Sequence, residues 1–313
     1  MTNYFKKAVA LLLTLILMLS LFTSCSNKKN SLQNNTTNVT TTYPYKIVDS
    51  YGREVTIDKK PERIISLSPN ITEIVTALNA TERLVGRTDY CDYPETIKSV
   101  ASVGSITEPS IEKIVELKPD IVIASSLLKK EIVDKIAALN VKIVMISEKE
   151  SFDGVYTTIQ KIGEIIDENN AAKNLIEGMK TKVSEVTEKV KNADKPKVYY
   201  VVGYGQYGDY TATRDTFISQ LIEMAGATNI ATDAEGWKYS LEKIVEHDPD
   251  ILICSKYFDT KKGIEQSNGY KDLRAVKEGK LLEIDNNMLD RQGPRLAQGL
   301  EELAKLIHPE LFK

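Results

Sequence analysis

The residues with chemical potential in this 313-residue chain suit binding better than bond breaking. There are two histidines, His247 and His308, and neither has a Cys, His or carboxylate partner at metal-ligand spacing. No GxSxG, HExxH or Walker A string occurs, so neither a catalytic group nor a metal site is expected. Gly203, Gly205 and Gly208 spell GxGxxG after an apolar run, but a dinucleotide site needs a helix that begins inside that motif. Here DYTATRD intervenes before a helical pattern starts near Thr216. Glu223, at the distance of a ribose-binding acid, falls inside that pattern. A glycine-rich loop carrying Tyr204, Tyr207 and Tyr210 reads instead as a binding surface.

Two carboxylates stand out by position. Residues 110–126, SIEKIVELKPDIVIASS, and 240–256, SLEKIVEHDPDILICSK, agree at eleven of seventeen aligned places, which is an internal duplication. In each copy a Ser caps a short helix, Ile114/Val115 or Ile244/Val245 face inward, Pro119 or Pro249 stops the helix, and an apolar run forms a buried strand. Glu112 and Glu242 each stand second after the capping Ser, where a carboxylate complements the exposed amides of the first turn. Helix stability alone accounts for that placement. The duplication adds that a two-lobed molecule would show both carboxylates on one side, to a symmetric partner.

A fainter echo precedes each copy, ITEIVTALNAT at 71–81 and SQLIEMAGAT at 219–228. Between echo and copy the first half holds seventeen more residues, including RTDYCDYPET, as either a site loop or an ordinary surface loop. Around the repeats, RIISLSP, RLVGRT, DIVIAS and VKIVMIS are short apolar runs with helical patterns between them. That order predicts a parallel sheet covered on both faces over residues 45–165, opened by a hairpin at DSYGRE. From Asn169 to Ala193 apolar residues recur at three- and four-residue steps without a breaker, so residues 166–194 are expected to form one long helix joining two α/β lobes. VYYVVG then opens a second lobe, 195–313, closed by a helix between Pro294 and Pro309. The fold class is therefore α/β: two Rossmann-like lobes with parallel sheets and a ligand cleft between them.

In such sheets ligands gather at the carboxyl ends of the strands. Those ends fall at Ser68–Asn70, Arg87–Pro94, Ser125–Ser126, Tyr204–Arg214, Tyr257 and Asn286–Arg295. They are rich in Tyr and carry Arg87, Arg214, Arg291 and Arg295, a composition suited to a large, partly flat, oxygen-rich ligand.

The N-terminus carries an address. Lys6 and Lys7 precede fifteen mostly apolar residues, Ala8 to Phe22, too few for a comfortable membrane span, and then Thr23, Ser24 and Cys25. Residues 1–24 read as a bacterial lipoprotein signal with Cys25 as the lipidated residue, although Phe22 stands where such signals usually have Leu. Losing the two lysines takes the formal charge from −3 to −5, which argues against nucleic acid as a partner. Residues 25–44, Asn- and Thr-rich and without periodicity, are expected to tether the folded part to the outer face of the cell membrane. Cys91 and Cys254 are expected to be unpaired.

The strings YGREVTI, PERIISLSPNITEIVTAL, RTDYCDYP, EPSIEKIVELKPDIVIA, DTFISQLIEMAGATNIA, YSLEKIVEHDPDILI and GPRLAQGLEELAKLIHPELF together resemble the solute-binding proteins of ABC importers for cobalamin, ferric siderophores and haem. The likeness covers residues 45–313. It implies a monomeric binding protein, not an enzyme, that carries a cobalt- or iron-containing chelate, cobalamin or a ferric siderophore, to a permease dimer with its ATPase. Haem carriage, or an exported chelatase-like enzyme, is the alternative. The family's docking glutamates fall on Glu112 and Glu242, its ligand-contacting aromatics on Tyr90 and Tyr210, and a basic contact on Arg291. Trp237 lies one position from the second-lobe Trp of cobalamin binders, which often also have Trp where Ile106 and Ser125 stand here. With Tyr204 and Arg214 from the strand-end loops, these make the expected ligand set.

Overall fold

Each half of the chain folds around short strands whose alternate residues enter two different cores. The computed structural model describes residues 39–313. The signal over residues 1–24 and Cys25 lie outside the described residues. The elements run β1 (Tyr45–Val48), β2 (Glu54–Ile57), β3 (Ile64–Ser66), α1 (Pro69–Ala77), β4 (Leu84–Arg87), α2 (Ile111–Glu116), β5 (Ile121–Ala124), α3 (Lys130–Ala138), β6 (Ile143–Met145), α4 (Phe152–Ile166) and α5 (Asn169–Val190). The second half continues with β7 (Lys197–Gly203), β8 (Tyr210–Thr211), α6 (Phe217–Met224), β9 (Thr228–Asn229), α7 (Leu241–His247), β10 (Ile251–Ser255), α8 (Thr260–Gln266), α9 (Arg274–Lys277), β11 (Leu281–Ile284), α10 (Asn287–Asp290) and α11 (Leu296–Ile307).

The first sheet has the order β4-β3-β5-β6, all parallel. The second has β11-β10-β7-β8, with β9 also beside β7, and only β8 runs antiparallel. The two copies of the repeat thus supply β5 and β10, each hydrogen-bonded to the first strand of its own sheet. Because every parallel strand needs cover on both faces, β5 sends Ile121 and Ile123 into one cluster and Val122 and Ala124 into another. In β10, Ile251 and Ile253 part in the same way from Leu252 and Cys254. Each sheet has a private outer core, and the inner faces share one central core built on α1, α4, α5, α6 and α11. Cys91 lies in the central core and Cys254 in the second sheet's outer core, so the two thiols are buried, free and separated by a sheet.

The long helix α5 has 22 residues, about 33 Å at 1.5 Å per residue. Ala172, Met179, Val186 and Val190 are buried on one stripe, and the helix packs against α4 of the first lobe and α11 of the second. Its start approaches α4 closely because Gly163 has no side chain: a Cβ there would lie 2.6 Å from the Cβ of Ala172. Among the described residues no helix is long and apolar enough to cross a membrane.

Two expectations change. Residues 41–44, assigned to the tether, are fixed on the end of α4: the Thr41 amide donates to Asp167 (2.7 Å), its hydroxyl to the Glu164 carbonyl (2.8 Å), and Tyr43 to the Ile165 carbonyl (2.9 Å). Polar composition hid a segment that exchanges water for the open carbonyls of a helix terminus. In the repeat helices Ile114 and Ile244 are fully buried, with Ile111 and Leu241 packed beside them, whereas Val115 and Val245 are 42% and 56% exposed. Neighbours on a helix point about 100° apart, so the residue after the anchor turns toward solvent. The central packing generates a prediction: Gly163→Leu should push α4 from α5 and lower stability by about 1–3 kcal/mol, read from the urea midpoint at unchanged slope.

Candidate functional site

The C-terminal ends of the strands of both sheets open on two cavities. One, of about 140 Å³, is lined by Asn70, Ser125, Ser126 and residues 146–150 of the first lobe, and by Gln292 of the second. The other, of about 350 Å³, is lined by Tyr200, Val202, Ile218, Trp237, Ser255, Asn286 and Asp290. The segment that begins at Asn286 therefore borders both. A further cavity of about 380 Å³ on the faces of α4 and α5 is lined by helix-surface residues and by none at the strand ends.

Trp237 is presented by strained backbone. Gly236 and Trp237 have φ of +76° and +72°, a region that an aromatic side chain enters only when its surroundings impose it. The turn is held from outside: the Trp237 amide donates to the Thr213 hydroxyl (3.1 Å), the Gly236 amide to Asp215 (3.2 Å), and the Thr213 hydroxyl to Asp215 (2.6 Å). The indole, 37% exposed, stands beside exposed Val202 at the mouth of the larger cavity. Phe258, 99% exposed at φ +59°, is a second strained aromatic just beyond β10.

Between the lobes lies an ionic clasp. Glu73 on α1 is 3% exposed and accepts two bonds from Arg295 (2.7 and 2.8 Å) and one from Arg291 (3.0 Å). Arg291 also reaches Asp92 (2.7 Å), and the Tyr93 ring lies 3.9 Å from the Arg295 guanidinium carbon. Asp285 completes the group, 3.8 Å from Arg295 and 3.1 Å from Lys256. A carboxylate this buried is stable only with such partners.

This arrangement redistributes the expected ligand set. Trp237 lines the larger cavity. Tyr90 is 60% exposed on the loop after β4. Arg291, expected as a ligand contact, is committed to Glu73 and Asp92. Arg214 is exposed and paired with Glu235 at 2.7 Å. Tyr204 turns into the second lobe, edge-on to Tyr270 and so close to α8 that a Cβ on Gly263 would meet its hydroxyl. Tyr210 leans over Gly203 and Gly208, which explains two of the three glycines sterically, and borders a separate cavity with Lys238. Both histidines bond backbone carbonyls, His247 that of Lys243 and His308 that of Gly226. Sequence reasoning missed Tyr200, a mid-strand residue indistinguishable by pattern from core, and Phe258. Burial pushes the Tyr200 hydroxyl well above its usual range, and the carboxylates of Asp290 and Asp285 add to the effect.

Glu112 and Glu242 occupy equivalent places. Each is exposed, without an ion pair among the described residues, at the N-terminus of its repeat helix, where Ser110 or Ser240 caps by accepting from Lys113 or Lys243. Their own backbone amides and the cap hydroxyls hold both carboxyls below the usual range. Each of these helices runs back along its sheet before the next parallel strand, so both N-termini lie at the sheet edges that open on the cavities.

The family model described as periplasmic binding protein matches residues 64–288. An uncharacterized ABC transporter substrate-binding lipoprotein of Bacillus subtilis is 31% identical over 314 residues, covering 98% of this chain and 99% of that protein. A cobalamin-binding protein of Halobacterium salinarum is 26% identical over 279 residues, covering 85% and 74%. Among solved structures, a possible iron-binding, periplasmic solute-binding protein from Staphylococcus epidermidis superposes with a TM-score of 0.69 at 31% identity, covering 80% of this chain and all of that one.

The clasp predicts unequal mutational costs. Glu73→Ala should destabilise by about 3 kcal/mol, because it strands buried guanidinium charge. Arg214→Ala, which breaks an exposed pair, should cost under about 1 kcal/mol. Equal urea midpoints for the two variants would contradict the clasp.

Proposed function

The chain belongs to the periplasmic binding protein family, and on that basis we propose that it is the solute-binding protein of an ABC importer, capturing a metal chelate between its lobes and delivering it to the permease dimer. Cobalamin or a ferric siderophore is the chelate class. Relatives named for cobalamin and for iron binding support that choice, as do the strained Trp237 that lines a strand-end cavity and the exposed Phe258 and Tyr90 on the loops after β10 and β4. Aromatic faces of this kind fit a flat, partly apolar ligand. The work is capture and release, with no covalent step.

The observation that carries the reading is the duplicated, unpaired carboxylate. An exposed acid at a helix N-terminus normally has only local value. Two of them, at equivalent places in the two halves and each free of cations, match a partner that is itself two-fold. Arginines of a permease dimer would meet Glu112 and Glu242 at once, with a lobe assigned to each subunit. Val115 and Val245, exposed one turn further along the same helices, add an apolar contact to each charged one.

The lobe boundaries at 45–165, 166–194 and 195–313 belong to the same proposal. Lipidation at Cys25 places the protein on the outer face of the membrane, with the chain up to the Thr41 attachment as the connection. A relative named as a lipoprotein supports this.

Three measurements test the reading. Titration of the full chain with cobalamin and ferric siderophores should give micromolar or tighter binding of at least one. Glu112→Ala combined with Glu242→Ala should leave that affinity unchanged and abolish uptake in cells, and normal uptake would remove the docking assignment. Cys25→Ala should shift the protein from the membrane fraction to the soluble one.

A further inference from the structure

The larger cavity has an electrostatic character that the proposed function does not itself require. Asp290, on its wall, accepts a bond on Oδ2 from the Asn286 amide (2.6 Å) and forms no ion pair among the described residues. Asn286 in turn accepts from the Ser255 hydroxyl (2.7 Å), which itself accepts from the Tyr257 amide (3.1 Å). The chain of donors is thus spent inward, and an acceptor, the Asp290 carboxylate, is what faces the cavity. Tyr200, 3% exposed, lines the same cavity. Its hydroxyl can donate to or accept from a ligand seated there.

Three arginines and one lysine of the strand-end loops are committed elsewhere. Arg291 and Arg295 are held by Glu73, Lys256 by Asp285, and Arg214 by Glu235. Lys238, next to Trp237, borders the separate cavity of Tyr210 and Ser240. Lys149 lines the other, smaller cavity, between Glu148, which pairs with Lys161, and Glu150.

The geometry points to a second-lobe subsite, formed by Trp237, Tyr200, Asn286 and Asp290, that takes the donor-bearing edge of a neutral or cationic chelate and rejects polyanionic ones. This deepens the binding-protein reading and rests on it. An amide or ammonium group of the ligand reaches Asp290, an oxygen or nitrogen meets the Tyr200 hydroxyl, and the indole covers the adjoining apolar face. A carboxylate- or catecholate-rich chelate would bring like charge against Asp290 with no free guanidinium nearby.

The test compares three chelates on the full chain by calorimetric titration: ferrioxamine B, a hydroxamate chelate with a free ammonium group; cyanocobalamin, neutral and rimmed with amides; and ferric enterobactin, a catecholate trianion. Quenching of Trp237, the sole tryptophan, gives a local readout. At least one of the first two should bind, and the trianion about a hundredfold more weakly or not at all. Asp290→Asn should weaken the preferred chelate about tenfold, the loss of one charge-assisted bond, without moving the melting temperature. Asp290→Lys should admit the trianion. Equal or tighter binding of the trianion by the native chain, or an Asp290→Asn variant that binds as the native does, overturns the subsite while chelate binding stands. Failure of all three chelates removes both.

Discussion

A carboxylate taken out of water at the junction of the lobes constrains much of this molecule. Glu73 sits on the helix that follows the first strand of the first sheet, in the layer shared by both halves. Ionised there, it requires compensation, and the compensation comes from the second half, through Arg291 and Arg295 just ahead of the last helix. The pair ties the lobes together across more than two hundred residues of sequence. It also withdraws two guanidinium groups that a strand-end inventory would assign to ligand. The electrostatics of the cleft follow from a structural demand elsewhere, and the carboxylate of Asp290 is what remains.

The duplication acts through the parallel sheet. Each copy supplies a strand flanked by others and so must be apolar on both faces, which is why IVIA and ILIC read as unbroken hydrophobic runs. The helix before each strand starts at the sheet edge where the strands end. One repeated string therefore fixes a core strand, a capped helix start and an outward carboxylate together. The capping Ser orients the first turn, the free amides hold Glu112 and Glu242 ionised, and Ile114 or Ile244 anchors the helix.

Most of the fold was legible because it rests on local patterning. The hairpin at Tyr45–Ile57, the strands, the long helix and the closing helix lie where apolar period, Pro and Ser place them. What was not legible depends on partners distant in sequence. Thr41 and Tyr43 look like linker until the carbonyls at the end of α4 are brought to them. Arg291 has the chemistry of a ligand contact, and only tertiary structure reveals Glu73 and Asp92 beside it. Tyr204 and Tyr210 were read as surface because they lie in a glycine-rich loop, yet Gly203, Gly208 and Gly263 are there to admit their rings. Tyr200 shows the opposite failure: its alternation marks it as core, which it is, and nothing in the pattern says that its hydroxyl borders a cavity. Trp237 was recognisable by type, while the left-handed turn that presents it was not.

These features bear on how the lobes can move. The central core runs without a break from the first sheet to the second, and Phe152 of α4 meets Phe217 of α6 edge-on, with ring centroids 5.6 Å apart. Rotation of one lobe about α5 would shear this contact and separate Glu73 from Arg295, exposing apolar surface and uncompensated charge in one step. Extended linkers would absorb such a rotation in a few dihedral angles, whereas a continuous helix packed against both lobes must bend along its hydrogen-bond ladder. These contacts favour a cleft largely formed before a ligand arrives. In the proposed subsite, discrimination would fall to fixed features of that cleft: the strained indole, the acid at Asp290 and the hydroxyl of Tyr200.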